Sequence, residues 1–301
     1  MRNDRVKRLK MMMLVLPIVL SLLALAVSVA ALVGVKDINR RLRTVSLNSY
    51  VEQTIVSNNY IVNEEKGSGD EDEQGEMLTY YGVSDAGGTE NGDHVRVYLT
   101  FDDGPSYNTE RILDILKKHN VKATFFVNGT AAKFPALEPL YKRIAEEGHA
   151  LGMHSYSHRY SEIYASLEAF ETDLDKIHSL IYNETGVDTN LYRFPGGSGN
   201  TVSRQPMEQF AKALHDRGYE YYDWNIYPGD SSGRSYPKDA IVSRIMSNIS
   251  EYRSAIILLH DSDTHNSTVE ALPEVIEGLL AQDAEFCLMD ENTPVIQQVS
   301  Y

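Results

Sequence analysis

From His94 onward the sequence predicts an α/β fold built on parallel strands. Short apolar runs of strand character alternate with amphipathic helical runs through about 200 residues. The polar residues suited to chemistry cluster where the apolar runs stop. Such alternation gives a parallel sheet, open or closed into a barrel, and in both cases sites form at the carboxyl ends of the strands.

The elements follow in order. "VRVYLTF" has the β-branched and aromatic content of a strand. "NTERILDILKKHN" carries Ile112, Ile115 and Leu116 on one helical stripe, with basic residues in its last turn. "ATFFVNG" reads as the second strand, "LEPLYKRIAEEG" as a helix, "HALGMH" as a short strand and "SEIYASLEAFETDLDKIHSLIYNETG" as one long helix. The alternation continues with "LYRFPGG" (strand), "SRQPMEQFAKALHDRG" (helix), "YEYYDWN" (strand), "PKDAIVSRIMSNIS" (helix) and "AIILLHD" (strand). "STVEALPEVIEGLLAQ" is the last helix and "AEFCLMDEN" the last strand, which makes Cys287 a buried strand residue.

Ahead of this domain, residues 11–35 carry no charge. A stretch of that length spans a hydrocarbon core of roughly 30 Å. The basic residues before it put the N-terminus inside under the positive-inside rule. A retained signal anchor is favoured, although "VSVAA" leaves signal cleavage open. Residues 1–10 then form a cytoplasmic basic tail. Residues 36–93 form a juxtamembrane segment and a flexible linker rich in Gly, Ser and acids, and 94–301 form the extracellular domain of a single-pass cell-membrane protein. Ile38, Leu42 and Val45 suggest only a weak helical extension.

Composition narrows the function. The 301 residues hold 28 Lys+Arg against 43 Asp+Glu, a net charge of −15. Without a basic block, nucleic acid is excluded as a partner. One cysteine rules out a disulfide framework and a multi-cysteine zinc site. Hydrophobic content of 42% supports a sizeable core, and no feature calls for an obligate protein partner.

At the strand ends, "FDDGP" sets Asp102 beside Asp103. Neighbouring carboxylates repel unless something absorbs their charge. The Gly-Pro turn can rotate both toward one cavity, which makes this either a surface turn with two acids or a divalent-metal site. "HSYSH" places His154 and His158 at i and i+4, on one side of a helical turn, unless one of them merely caps or packs. Asp103 with the two imidazoles gives three ligands and leaves a position for water, with Asp102 free to stay ionised. Arg193 of "YRFPGG" either pairs with Asp102 or makes a solvent salt bridge, and the backbone N–H groups of the following glycines can approach a substrate oxygen. "YYDWN" offers Asp223 and Trp224, the latter an apolar shelf or a core residue. His260 of "ILLHD" leaves an apolar strand as a candidate general acid.

The ordered set "TFDDGP", "HSYSH", "RFPGG", "DW" and "LLHD" resembles the polysaccharide deacetylase family, the NodB-homology domain of carbohydrate esterases. The resemblance covers about 94–298 and implies a distorted (β/α) barrel of the NodB type that hydrolyses N-acetyl groups of an amino-sugar polymer. It implies Asp102 as catalytic base, Asp103, His154 and His158 as ligands of a divalent ion, zinc first, and Arg193 as the residue orienting the base. It further implies Asp223 as the partner tuning His260, His260 as the acid, Leu258 lining the acetyl pocket, and Pro195, Gly196 and Trp224 in the substrate site. Two departures stand out. Gly196 occupies a place where many relatives carry an aromatic, and Met153 one where they often carry a polar residue. The expected substrate is an extracellular polysaccharide, peptidoglycan N-acetylglucosamine first. Chitin oligomers, poly-N-acetylglucosamine, acetylxylan or a non-catalytic wall-binding role are the alternatives.

Overall fold

The computed structural model describes residues 94–231 and 236–300. The expected basic tail 1–10, membrane segment 11–35 and 36–93 stretch lie outside the described residues. Among the described residues no helix is long and apolar enough to cross a membrane.

Seven strands make one sheet: β1 (Arg96–Asp102), β2 (Thr124–Val127), β3 (Ala150–Met153), β4 (Leu191–Tyr192), β5 (Glu220–Tyr221), β6 (Ser254–His260) and β7 (Glu285–Phe286). Every pairing is parallel, in the order β5-β4-β3-β2-β1-β6, with β7 beside the start of β1. The sheet curls into a half-barrel. Among the described residues no strand ladder closes it, but the chain after β5 comes round to touch β6 through a single bridge, Ile226 to Ile257.

Alternation along β1 explains the layering. Val97, Leu99 and Phe101 point outward into the core under the helices, while Tyr98 joins an inner cluster with Phe126, Leu191, Tyr222, Trp224, Ile256, Leu258 and Met289. Both faces are covered, so β1 and β6 read as nearly continuous apolar runs. Gly152 of β3 is required by this inner packing, because a Cβ there would sit 2.5 Å from Phe126 ring carbons. The register sets Asp102 opposite His260 on one rung, at the shared carboxyl end of β1 and β6.

The helices are α1 (Tyr107–His119), α2 (Pro139–Glu146), α3 (Tyr160–Ile163), α4 (Leu167–Thr185), α5 (Met207–Asp216), α6 (Lys238–Asn248) and α7 (Asn266–Ala281). α1 opens with a capping box between Ser106 and Thr109. The single long helix expected at "SEIYASLEAFETDLDKIHSLIYNETG" is two, because the Ser166 hydroxyl accepts from Ala169 N–H and caps a fresh start. β4 and β5 keep only two residues each, since their continuations turn away to carry site residues. Cys287 lies just past β7 and is half-buried rather than a buried strand residue, with its N–H on the Val97 carbonyl at 2.8 Å.

Candidate active site

Asp102 ends β1, and the next residue turns the chain with φ at 75°. That left-handed step is what lets neighbouring aspartates face the same cavity instead of opposite faces. Asp103 Oδ1 lies 3.0 Å from His158 Nε2 and 3.5 Å from His154 Nε2. The ligand atoms of Asp103, His154 and His158 all fall within 4.8 Å of one another.

This donor set fits a divalent ion. Asp103 Oδ1 is sealed from solvent and accepts no hydrogen bond, although two imidazole nitrogens face it. Ligands about 2.0–2.1 Å from one tetrahedral ion stand roughly 3.4 Å apart, close to these spacings. His154 Nδ1–H donates to the Arg193 carbonyl at 2.9 Å, which leaves Nε2 as the lone-pair donor. Burial pushes the His154 pKa down and so favours the neutral, ligating ring. At Asp103 burial works to raise the pKa, but His158, with His260 and His154, holds the carboxyl well below its ordinary range.

The two histidines do not share a helical turn. They flank a loop in which Ser155 has φ at 69° and His158 at 52°. Asp173 of α4 holds that loop, accepting from Tyr156 N–H at 2.7 Å and Ser157 N–H at 2.9 Å. The sequence reading did not single out Asp173; an acid on the otherwise apolar stripe of Phe170, Leu174 and Ile177 was the available signal.

Arg193 is fully buried and makes no solvent salt bridge. Its Nη1 donates to Asp102 Oδ1 at 2.9 Å and Thr100 Oγ1 at 2.6 Å, its Nε to the Tyr222 carbonyl at 2.9 Å. Its Nη2 donates to the Asp223 carbonyl at 3.1 Å, and the guanidinium lies 4.2 Å over the Phe126 ring. A buried guanidinium so fully paired holds the Asp102 carboxyl in one orientation.

The pairing of Asp223 with His260 is not found. The Asp223 carboxylate accepts from the N–H groups of Ser198 at 2.8 Å and Gln298 at 2.7 Å, and from the Ser198 hydroxyl. It ties the segment after β4 to the C-terminal segment. The partner of His260 is Asp230, brought to the end of β6 by the "PGD" turn after the Ile226 bridge. Asp230 Oδ1 accepts from His260 Nδ1 at 2.9 Å, and Oδ2 accepts from His260 N–H at 2.8 Å and Thr268 Oγ1 at 2.9 Å. Burial opposes charge on His260, yet the Asp230 carboxylate raises its pKa to about 9.

Around this centre, Gly196 has φ at 78° and its N–H makes no hydrogen bond among the described residues. The Pro195 carbonyl accepts from Tyr164 Oη at 2.8 Å. Trp224 takes the packed role, 9% exposed in the inner cluster, with Leu258 beside it at 3%. The ring missing from position 196 is present from another direction, since Tyr160 lies against Gly196. Burial, with Asp103 and Asp102 nearby, holds the Tyr160 phenol at about 12. Asp261, the carboxylate that follows His260 in "LLHD", accepts from Ser106 Oγ at 2.9 Å and Thr109 Oγ1 at 2.6 Å, and burial raises its carboxyl to about 8. It packs so closely on the turn after Asp103 that a Cβ at Gly104 would meet its Oδ2 at 2.4 Å.

Comparison with known proteins agrees with this geometry. Residues 89–214 match the polysaccharide deacetylase family model. A peptidoglycan-N-acetylglucosamine deacetylase of Bacillus cereus is 35% identical over 201 residues, 65% of this chain and 70% of that protein. The crystal structure of the catalytic domain of a peptidoglycan N-acetylglucosamine deacetylase from Eubacterium rectale superposes with a TM-score of 0.65 at 35% identity, over 70% of this chain and 95% of that one. A pseudoenzyme of the CE4 family from Bacillus anthracis is also similar, at a TM-score of 0.53 and 28% identity over 64% of this chain and 63% of that one. A shared fold therefore does not by itself confer activity, and the site residues carry that question. On sequence and on fold together, this chain belongs to the polysaccharide deacetylase family.

Proposed function

We propose that the protein is a metal-dependent hydrolase that removes N-acetyl groups from amino sugars of an extracellular polysaccharide, with peptidoglycan N-acetylglucosamine as the first substrate. The observation that carries this reading is the convergence of Asp103, His154 and His158 beside an Asp102 carboxylate held by Arg193. Two nitrogens and one carboxylate oxygen suit zinc, and three protein ligands leave a position for water. A divalent ion held by Asp103, His154 and His158 would lower the pKa of a bound water from about 15.7 toward about 7 and would polarise a carbonyl oxygen.

This chain's residues supply the rest. Asp102 takes a proton from the attacking water. The Gly196 N–H stabilises negative charge on the acetamide oxygen, an effect worth about 3 kcal/mol for one well-placed donor. The amide nitrogen leaves only when protonated, and His260, charged and aimed by Asp230, delivers that proton. Acetate and a free amino sugar result. In this reading the 11–35 segment anchors the protein in the cell membrane, residues 36–93 act as a spacer, and the catalytic domain faces the wall outside.

The test is acetate release by the zinc-loaded protein from N-acetylglucosamine oligomers, peptidoglycan, chitin oligomers, poly-N-acetylglucosamine and acetylxylan. Release from peptidoglycan and its amino-sugar oligomers is expected. Release from xylan alone would overturn the substrate, and no release from any of them with metal bound would favour a non-catalytic wall-binding role.

A further inference from the structure

Gly196 has no side chain, and the space beside it is filled from another element. A Cβ at position 196 would lie 3.1 Å from Tyr160 Cε1 and 3.3 Å from Tyr160 Oη. Tyr160 opens α3, two residues after His158. Its ring stands 6.0 Å from the His158 ring at 59° and 6.2 Å from the Tyr164 ring at 30°. Tyr164 is itself pinned to the Pro195 carbonyl, so the α3 turn and the Pro195-Gly196 turn are fastened together.

The Tyr160 ring is thus held by packing while its hydroxyl makes no hydrogen bond among the described residues and is not sealed from solvent. Side chains fixed in this way have little conformational entropy left to lose when a ligand arrives. An apolar ring edge with one polar tip also matches a pyranose, which presents C–H groups and a rim of hydroxyls.

We propose that Tyr160 is a substrate-binding residue whose hydroxyl donates a hydrogen bond to the sugar carrying the reacting acetamide. The inference rests on the deacetylase reading above and adds to it a group that recognises the sugar rather than the acetyl. An acetyl ester without a sugar offers this hydroxyl no partner.

The experiment compares the full-length, zinc-loaded protein with Tyr160→Phe, which keeps the ring against His158 and Tyr164. The readout is the ratio of kcat/KM on an N-acetylglucosamine tetramer to kcat/KM on 4-nitrophenyl acetate. The ratio is expected to fall about tenfold, the loss of one hydrogen bond worth about 1.4 kcal/mol. An unchanged ratio, whether both rates hold or both fall together, overturns the inference while leaving an active deacetylase in hand. A wild-type protein that hydrolyses the ester but neither binds nor deacetylates the tetramer overturns the deacetylase reading and this inference with it.

Discussion

Asparagine at position 230 keeps an acceptor facing His260 Nδ1 and removes the charge. In the native site the Asp230 carboxylate prevails over burial and lifts His260 to about 9. Without it, burial works against the weaker pull of Asp103 and Asp102, and the ring returns toward its ordinary value of about 6.5. A fall from about 9 to about 6.5 is about 3 kcal/mol at 1.36 kcal/mol per unit. A general acid works in its protonated form, so the alkaline limb of the rate profile follows its pKa, and lowering the pKa moves that limb to lower pH. At pH about 8 the charged fraction drops from roughly 90% to roughly 3%, about a 30-fold loss. The assay is kcat/KM on an N-acetylglucosamine oligomer from about pH 5 to 10. Asp230→Asn should bring the alkaline limb below about 7, whereas Asp223→Asn should leave it in place, because that carboxylate reaches Ser198 and Gln298 instead. A limb that stays put in Asp230→Asn, or moves equally in Asp223→Asn, refutes the assignment.

Three further outcomes are expected. Asp102→Asn should cut acetate release at least about 100-fold while metal analysis finds the ion retained; loss of the ion would mean the two aspartates have exchanged roles. Asp173→Ala leaves the Tyr156 and Ser157 N–H groups without their acceptor, and competition against a chromophoric chelator should show zinc affinity reduced about 10- to 100-fold. Gly152→Ala drives a Cβ into the Phe126 ring beneath the Arg193 guanidinium, and thermal denaturation should register a loss of about 1–3 kcal/mol. An unchanged melting temperature there would show that Phe126 has room to move.

The features legible in the sequence share a local or doubly buried origin. β1 and β6 stood out because six of the seven residues in each are buried between two covered faces. The candidate ligands stood out because Asp103 is one residue from Asp102 and the histidines are four apart. That spacing is the same in a loop and in a helix; only the positive φ of Ser155 and His158 separates the two, and Asp173 enforces it from another element. Asp230 was missed because its contact with His260 spans 30 positions of sequence and is made by a loop that swings back to β6. Asp223, in the "DW" pair that carries the family resemblance, drew the role instead. Its actual partners are 25 and 75 positions away. The break before α4 was hidden because the Ser166 hydroxyl that caps it is indistinguishable, in a string of letters, from any surface serine.

X-ray absorption at the zinc edge on the full-length protein, with His158→Ala measured alongside, examines the shared ion itself. One zinc per chain with two imidazole nitrogens among its nearest atoms, lost when His158 is replaced, is the expected result. A protein that binds no ion, or holds zinc without histidine in its shell and keeps it in His158→Ala, would contradict the metal centre and the hydrolysis built on it.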